Sequence, residues 1–295
     1  MLTGGTDLVA VLRDAPGREG RARHLLEQPA RAAAPVPWPT WVHPEVRAAY
    51  ERRGVVSPWR HQGEAAEHAH QGRHVVVSTG TASGKSLAFW LPALTAVVEG
   101  AAAPTGRGAT AVYLSPTKAL AHDQWRALRE LAVPGVRAAP YDGDTPPDER
   151  AWVRAHAAVV LTNPDLLHHS LLPGHERWTS FLRRLRYIVV DECHAYRGLL
   201  GSHVAAVLRR LLRVARHHGA QPVVVLASAT TAQPGLTASR LVGEPVVTVE
   251  DDGSPRAARR ILLWEPPVVG LLGEHGAPVR RSATAEAAEL VTDLV

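Results

Sequence analysis

Ser78-Thr-Gly-Thr-Ala-Ser-Gly-Lys-Ser86 follows the apolar run His74 to Val77 and leads into an apolar helical pattern, so it reads as a strand, a glycine-bearing turn and a helix start. Such a turn offers backbone N–H groups and a helix N-terminus to phosphate oxygens, an ammonium to the outer phosphates and a hydroxyl to a divalent cation. Thr79, Gly80, Thr81, Ala82, Ser83, Gly84, Lys85 and Ser86 are therefore a candidate loop for ATP with Mg2+, Ser86 supplying the metal-side hydroxyl. Lys85 and Lys118 are the only lysines among 33 Lys and Arg residues. The broad planar fork of Arg fits a phosphate cradle poorly, which gives the Lys at 85 a reason. One position departs from the generic pattern, Thr79 standing where Gly is usual. Taken alone, the stretch also fits an ordinary Gly/Ser turn.

Outward from the loop, short β-branched runs recur between longer helical stretches: Val75–Val77, Ala111–Leu114, Val159–Leu161, Tyr187–Val190 and Val223–Leu226. Continuous apolar strands alternating with helices predict an α/β fold, a parallel sheet flanked by helices on both faces. One helix can be read closely: Ser202 caps it, Val204, Leu208, Leu211 and Ala215 form its apolar stripe, and Gly219 ends it. Arg209, Arg213 and Arg216 lie on another face, which reads as a solvated basic surface. Residues 1–34 are Gly-, Ala-, Arg- and Pro-rich and predict a loosely ordered arm with one short helix at most. Residues 35–249 form the predicted first domain, and the charged turn cluster Glu250-Asp-Asp-Gly-Ser-Pro-Arg256 opens a linker over 250–260. In 261–295 the pattern holds one strand, Ile261 to Trp264, and one helix, Ala283 to Leu294. That is too little to close a core, so the chain is expected to stop inside a second domain.

Composition narrows the class. With 45% apolar and 21% charged residues in 295, the chain is that of a soluble globular protein. No apolar run approaches the roughly 18 residues of a membrane span, and Leu8 to Leu12 is too short for a signal-peptide core. The single cysteine, Cys193, excludes an internal disulfide framework and a cysteine-built zinc site, and points to a reducing cytoplasm. A net charge of +5 suits a polyanionic partner, although an Arg-rich composition produces such a balance without any selection for binding. The sixteen histidines show no metal-ligand spacing.

Two further stretches carry chemistry. Tyr187-Ile-Val-Val-Asp-Glu192 is an apolar strand ending in two carboxylates, and in a parallel sheet its carboxyl end opens on the edge that holds the phosphate loop. There Asp191 suits Mg2+ and Glu192 suits the polarisation of an attacking water, while a plain acidic turn at a strand end is the alternative. Ser228-Ala229-Thr230 follows another strand at the same edge and could bridge the nucleotide site to a neighbouring element.

The ordered series Gln62, GTASGKS, PTKALA, TNPDLL, DECH and SAT resembles the first RecA-like lobe of superfamily 2 DEAD/DEAH-box (DExH) helicases. Trp59-Arg-His-Gln62, Tyr141-Asp-Gly-Asp144, Thr162 to Leu167, Asp191 to Gly198, Gly201-Ser-His-Val204 and Asp252-Gly-Ser-Pro255 are similar to the branch with the Hrq and mitomycin-repair-factor helicases. The resemblance runs from about Ala30 to Val295. It implies a RecA-like, P-loop NTPase fold with the start of a second RecA-like lobe, and an ATP-dependent helicase that translocates 3′ to 5′ on DNA and acts in repair. Among residues, it implies Gln62 on the adenine edge, Lys85 on the outer phosphates, Ser86 and Asp191 on Mg2+, and Glu192 on the water. His194 with Ser228, Ala229 and Thr230 would couple hydrolysis to strand movement, and Thr117, Lys118, Thr162 and Asn163 would hold the nucleic-acid backbone of single-stranded DNA or a tailed duplex. Cys193, the third residue of the acidic box, reads as a small packed hydrophobe. The arginines that the second lobe of such helicases supplies to the γ-phosphate are expected downstream. Two alternatives stay open: a translocase that does not separate strands, and a truncated, catalytically inactive fragment that binds ATP or nucleic acid.

Overall fold

The computed structural model of the chain describes residues 7–101 and 108–293. Residues 1–6 of the expected arm, and Leu294 at the expected end of the last helix, lie outside the described residues. In chain order the strands are β1 Ala22–Gln28, β2 Val75–Ser78, β3 Thr110–Leu114, β4 Ala138–Pro140, β5 Val159–Thr162, β6 Leu185–Val190, β7 Val223–Ser228, β8 Val247–Val249, β9 Arg259–Trp264, β10 Val268–Leu272 and β11 Pro278–Arg280. The helices are α1 Leu8–Asp14, α2 Pro44–Arg52, α3 Arg60–His70, α4 Ser86–Ala101, α5 Lys118–Leu131, α6 Pro147–His156, α7 Pro164–Leu166, α8 Thr179–Leu182, α9 Gly198–His217, α10 Pro234–Val242 and α11 Ala283–Thr292. The chain divides into two compact units, Ala33–Ser254 and Met1–Ala32 with Pro255–Val295.

The unit Ala33–Ser254 is built on a seven-stranded parallel sheet in the order β4-β5-β3-β6-β7-β2-β8. Its central strands are mostly apolar, because both faces are covered; Ser78, Thr110, Arg186 and Ser228 are the polar exceptions in β2, β3, β6 and β7. Val75 and Val77 of β2 point into one core layer with Phe89, Leu91 and Leu94 of α4, and Val76 points into the other with Leu208 and Leu211 of α9. Each such buried aliphatic side chain contributes roughly 1.5–3 kcal/mol, and a charge at any of these positions would break the layer. The strands β4 and β8 were not anticipated, since three residues give no readable period. Edge strand β4 is blunted against further pairing: Pro140 has no N–H, and Trp125 Nε1 donates to the Ala138 carbonyl at 3.1 Å.

Strand order sets the site. After β2 the chain crosses to β3, and β6 and β7 later enter the gap between them. The loop after β2 therefore shares the carboxyl edge with the turns that end β6 and β7, where ligands bind in such sheets.

Helix α9 begins four residues before the expected cap. Ser202 lies inside it with its hydroxyl donating to the Gly198 carbonyl at 3.3 Å, so Ser202 is not the N-cap. Gly201 permits the early start: a Cβ there would stand 2.6 Å from the Tyr196 carbonyl oxygen. The stripe Val204, Leu208, Leu211 and Ala215 is buried as read, and Gly219, at φ +87°, follows the helix end.

In the second unit the expected loose arm contains a paired strand. β1 runs antiparallel to β9, with Leu26 opposite Ile261 and Ala22 opposite Trp264. Buried Glu286 of α11 ties the unit together, accepting from Trp264 Nε1 at 2.8 Å and pairing with Arg21 at 3.2 Å and Arg281 at 3.4 Å. Arg18 pairs with Asp293 in the same way. These partners lie some 260 residues from the arm in sequence, which is why its composition alone read as disorder.

Candidate nucleotide site

The loop that joins β2 to α4 takes its shape from its own backbone. Ala82 and Gly84 take left-handed conformations, φ +61° and +73°. A side chain at 84 would meet Gln62, whose Nε2 lies 2.6 Å from an ideal Cβ, so glycine is required there on two counts. At Ala82 the same conformation costs roughly 1–2 kcal/mol. Thr79 explains its departure from the usual glycine: its hydroxyl lies 2.7 Å from that of Ser83 and pins the two ends of the turn.

α3 braces the loop from the side. Gln62 Oε1 accepts from the Trp59 N–H at 2.7 Å, and its Nε2 donates to the carbonyls of Ser83 and Gly84 at 3.2 and 2.9 Å. Buried His61 accepts from the Gly253 N–H at 3.2 Å through Nδ1, which leaves Nε2 to donate to the Ser83 carbonyl at 3.0 Å. Asp252 stands on the loop as well, with Oδ2 3.3 Å from where a Cβ on Gly80 would be. The sequence alone marks neither His61 nor Asp252 as a site residue. Both lie in stretches that carry the family resemblance, Trp59-Arg-His-Gln62 and Asp252-Gly-Ser-Pro255, but the charged turn composition of the latter reads as linker.

Half-buried Lys85 donates to the carbonyls of Thr79 and Gly80 at 3.2 and 2.9 Å. Burial lowers its pKa, and the carboxylates of Glu192, Asp191 and Asp252 act in the opposite sense. The structure thus gathers one ammonium and three carboxylates at one edge.

The turn after β6 is fixed at both of its acids. Asp191 donates its N–H to the Leu114 carbonyl at 2.8 Å, accepts from the Glu192 N–H through Oδ1 at 2.9 Å, and accepts from the Tyr113 hydroxyl through Oδ2 at 2.6 Å. Burial, reinforced by Asp191, raises the pKa of that phenol. Glu192 sits at φ +48° and brings Oε2 to 3.1 Å from His194 Nδ1. The same nitrogen is 3.3 Å from the Ala229 N–H. One ring nitrogen donates to the carboxylate or accepts from the amide according to its tautomer, and both partners lie within reach of it. Ser228 and Ser78 both donate to the Ala229 carbonyl, at 2.7 and 3.1 Å, and Thr230 is exposed. Cys193 is buried and its thiol is pushed up to about 12 by burial, an inert packed group.

The segments expected to face nucleic acid lie at the ends of β3 and β5. Thr117 caps α5, its hydroxyl accepting from Leu120 N–H at 3.3 Å, and Asn163 caps α7, accepting from Leu166 N–H at 2.9 Å. Lys118 is exposed and pairs with Asp144 at 2.7 Å, which raises its pKa. Thr162 is buried, and its hydroxyl has no hydrogen-bond partner.

Residues 59–237 match the DEAD/DEAH box helicase family, a span that starts at the Gln62 brace and ends beyond Thr230. The chain belongs to the DEAD/DEAH box helicases. Within that family it is 39% identical over 292 residues to the uncharacterized ATP-dependent helicase YprA of Bacillus subtilis, covering 98% of this chain and 37% of that protein. It is 38% identical over 260 residues to the ATP-dependent helicase HRQ1 of Saccharomyces cerevisiae, covering 85% of this chain and 23% of the yeast protein. The crystal structure of the DUF1998 helicase MrfA bound to DNA and AMPPNP superposes with a TM-score of 0.85 at 38% identity, over 99% of this chain and 39% of that one. The DEAD/DEAH box chain thus has a RecA-like sheet and spans about two fifths or less of these relatives. Among the described residues no helix is long and apolar enough to cross a membrane.

Proposed function

We propose that this chain is the ATP-binding lobe of a DNA helicase that couples ATP hydrolysis to movement along single-stranded DNA or a tailed duplex, in genome repair. The observation that carries the reading is the convergence of Lys85, Asp191, Glu192, His194 and Ala229 on the ends of three adjacent strands, β6, β7 and β2. In this reading Lys85 exchanges its two loop carbonyls for the outer phosphates of ATP, and the N–H groups of the loop cradle the rest. Ser86 and Asp191 are hard oxygen donors, the kind Mg2+ takes, and would hold it. When bound, Mg2+ offsets the charge on the β- and γ-phosphates. Glu192 accepts the proton of the attacking water, and His194, within reach of both Glu192 and Ala229, pairs with one or the other. Gln62 would read the adenine edge by giving up one of its two bonds to the loop carbonyls. Thr117, Lys118, Thr162 and Asn163 mark the segments that hold the strand backbone, where contacts position rather than specify.

The names of the relatives support this reading, since MrfA is described with DNA and AMPPNP and YprA and HRQ1 as ATP-dependent helicases. Residues 261–295 would open the second RecA-like lobe, with the rest of that lobe downstream, and the cytoplasm is the compartment that a lone buried thiol suits. A titration with a fluorescent ATP analogue in Mg2+ tests the site. Saturable binding that is competed by ATP is expected, and its absence sinks the reading.

A further inference from the structure

Tyr113 lies on β3, the strand next to β6, with its ring fully buried. The ring stacks on Trp90 at 5.7 Å between centroids and leans on Phe89 at 6.1 Å. Trp90 is itself fixed, its Nε1 donating to Gln124 Oε1 at 2.9 Å. A ring wedged in this way cannot swing, so its hydroxyl is delivered to one point, Asp191 Oδ2 at 2.6 Å. That separation is in the range of charge-assisted O–H···O⁻ bonds. With the Glu192 N–H on Oδ1 at 2.9 Å, each oxygen of Asp191 has one donor, and the carboxylate cannot rotate without losing both. Each oxygen keeps further lone pairs, and their directions are thereby set.

We propose that Tyr113 is a positioning residue for Asp191, fixing through its hydroxyl the orientation in which that carboxylate meets a divalent cation. The proposal rests on Asp191 being the metal-side carboxylate. Groups that orient a ligand from behind commonly alter metal affinity 10- to 100-fold when removed.

Tyr113→Phe keeps the ring and its stacking and deletes the oxygen. For the 295-residue chain, the Mg2+ concentration that gives half-maximal binding of a fluorescent ATP analogue should rise by roughly 10-fold. Binding in EDTA and the melting temperature without nucleotide should stay near the parent values. On an Asp191→Asn background the same substitution should add nothing. A Tyr113→Phe protein with the parent Mg2+ half-point, or one that shifts it equally in the Asp191→Asn background, overturns the positioning role while leaving the nucleotide site intact. Failure of the parent chain to bind nucleotide at all would instead remove the reading on which the proposal stands. A Tyr113→Phe protein that does not fold makes the hydroxyl structural and also overturns it.

Discussion

The carboxyl edge of the sheet has two halves that are built differently. At the ends of β2, β7 and β6, charge and strained backbone are concentrated: Ala82, Gly84 and Glu192 have positive φ, and an ammonium faces three carboxylates. At the ends of β3 and β5, the polar side chains serve local structure, as Thr117 and Asn163 cap helices and Lys118 pairs with Asp144. The first half invests stability in a fixed arrangement of charge, as sites for chemistry do. The second half presents helix starts and the Thr117 hydroxyl on a surface with little strain, which suits contacts to a sugar-phosphate chain, while the Thr162 hydroxyl is buried. Tyr113 and Asp191 join the halves across the β3–β6 boundary.

The widest separation between the halves should come from the two lysines. Lys85→Ala is expected to weaken ATP binding by at least about 100-fold, since a charge-assisted contact to phosphate is lost. Lys118→Ala should leave ATP binding within about twofold and weaken single-strand DNA binding a few-fold. Titrations with labelled nucleotide and labelled DNA check both, and a reversed pattern would break the division. Gly84→Ala comes next. The added Cβ meets Gln62 in a backbone conformation that alanine resists, so stability should fall by about 1–3 kcal/mol, and ATP affinity with it. Thermal melting with and without ATP reads this, and an unchanged melting temperature would mean that the loop tolerates a side chain.

In the second half, loss of a cap should matter less. Thr117→Ala and Asn163→Ala should each lower stability by about 1 kcal/mol in denaturant unfolding, with ATP binding retained. Loss of ATP binding in either would show that the halves are not separate. DNA binding itself should be sequence-indifferent and shallow in salt. At about 0.7 in log–log slope per phosphate contact on single strands, a track of so few positions predicts a slope of magnitude below about 3. A steeper slope would reveal a larger track than the one assigned. Smallest of all, Asp144→Ala removes only an exposed partner of Lys118 and should move the melting temperature by no more than about 1 °C.

Much of this was legible because it is local. Lys85 in its loop, Asp191 and Glu192 at a strand end, and the five β-branched runs are patterns of neighbours, and neighbours in sequence fix backbone and chemical type together. The start of α9 was misread for a physical reason: Ser202 is a good cap in isolation, but Gly201 lets the chain pass so close to Tyr196 that the helix begins earlier. The paired strand in the arm was missed because its partners are β9 and the acids of α11. His61 and Asp252 were missed because buried contact with the loop is a property of neither residue type.

What the amino-acid order determined by itself is the family, the kind of fold and the residue types of the candidate site, because residue type, helix period and strand composition are one-dimensional properties. What only the tertiary structure decided is which groups meet. The entry of β6 and β7 between β2 and β3 sets Lys85 beside the acids and Tyr113 against Asp191, and sequence separation carries no record of strand order. Hydrogen bonds reach about 3 Å, so the identity of a partner is settled only when packing has fixed both backbones.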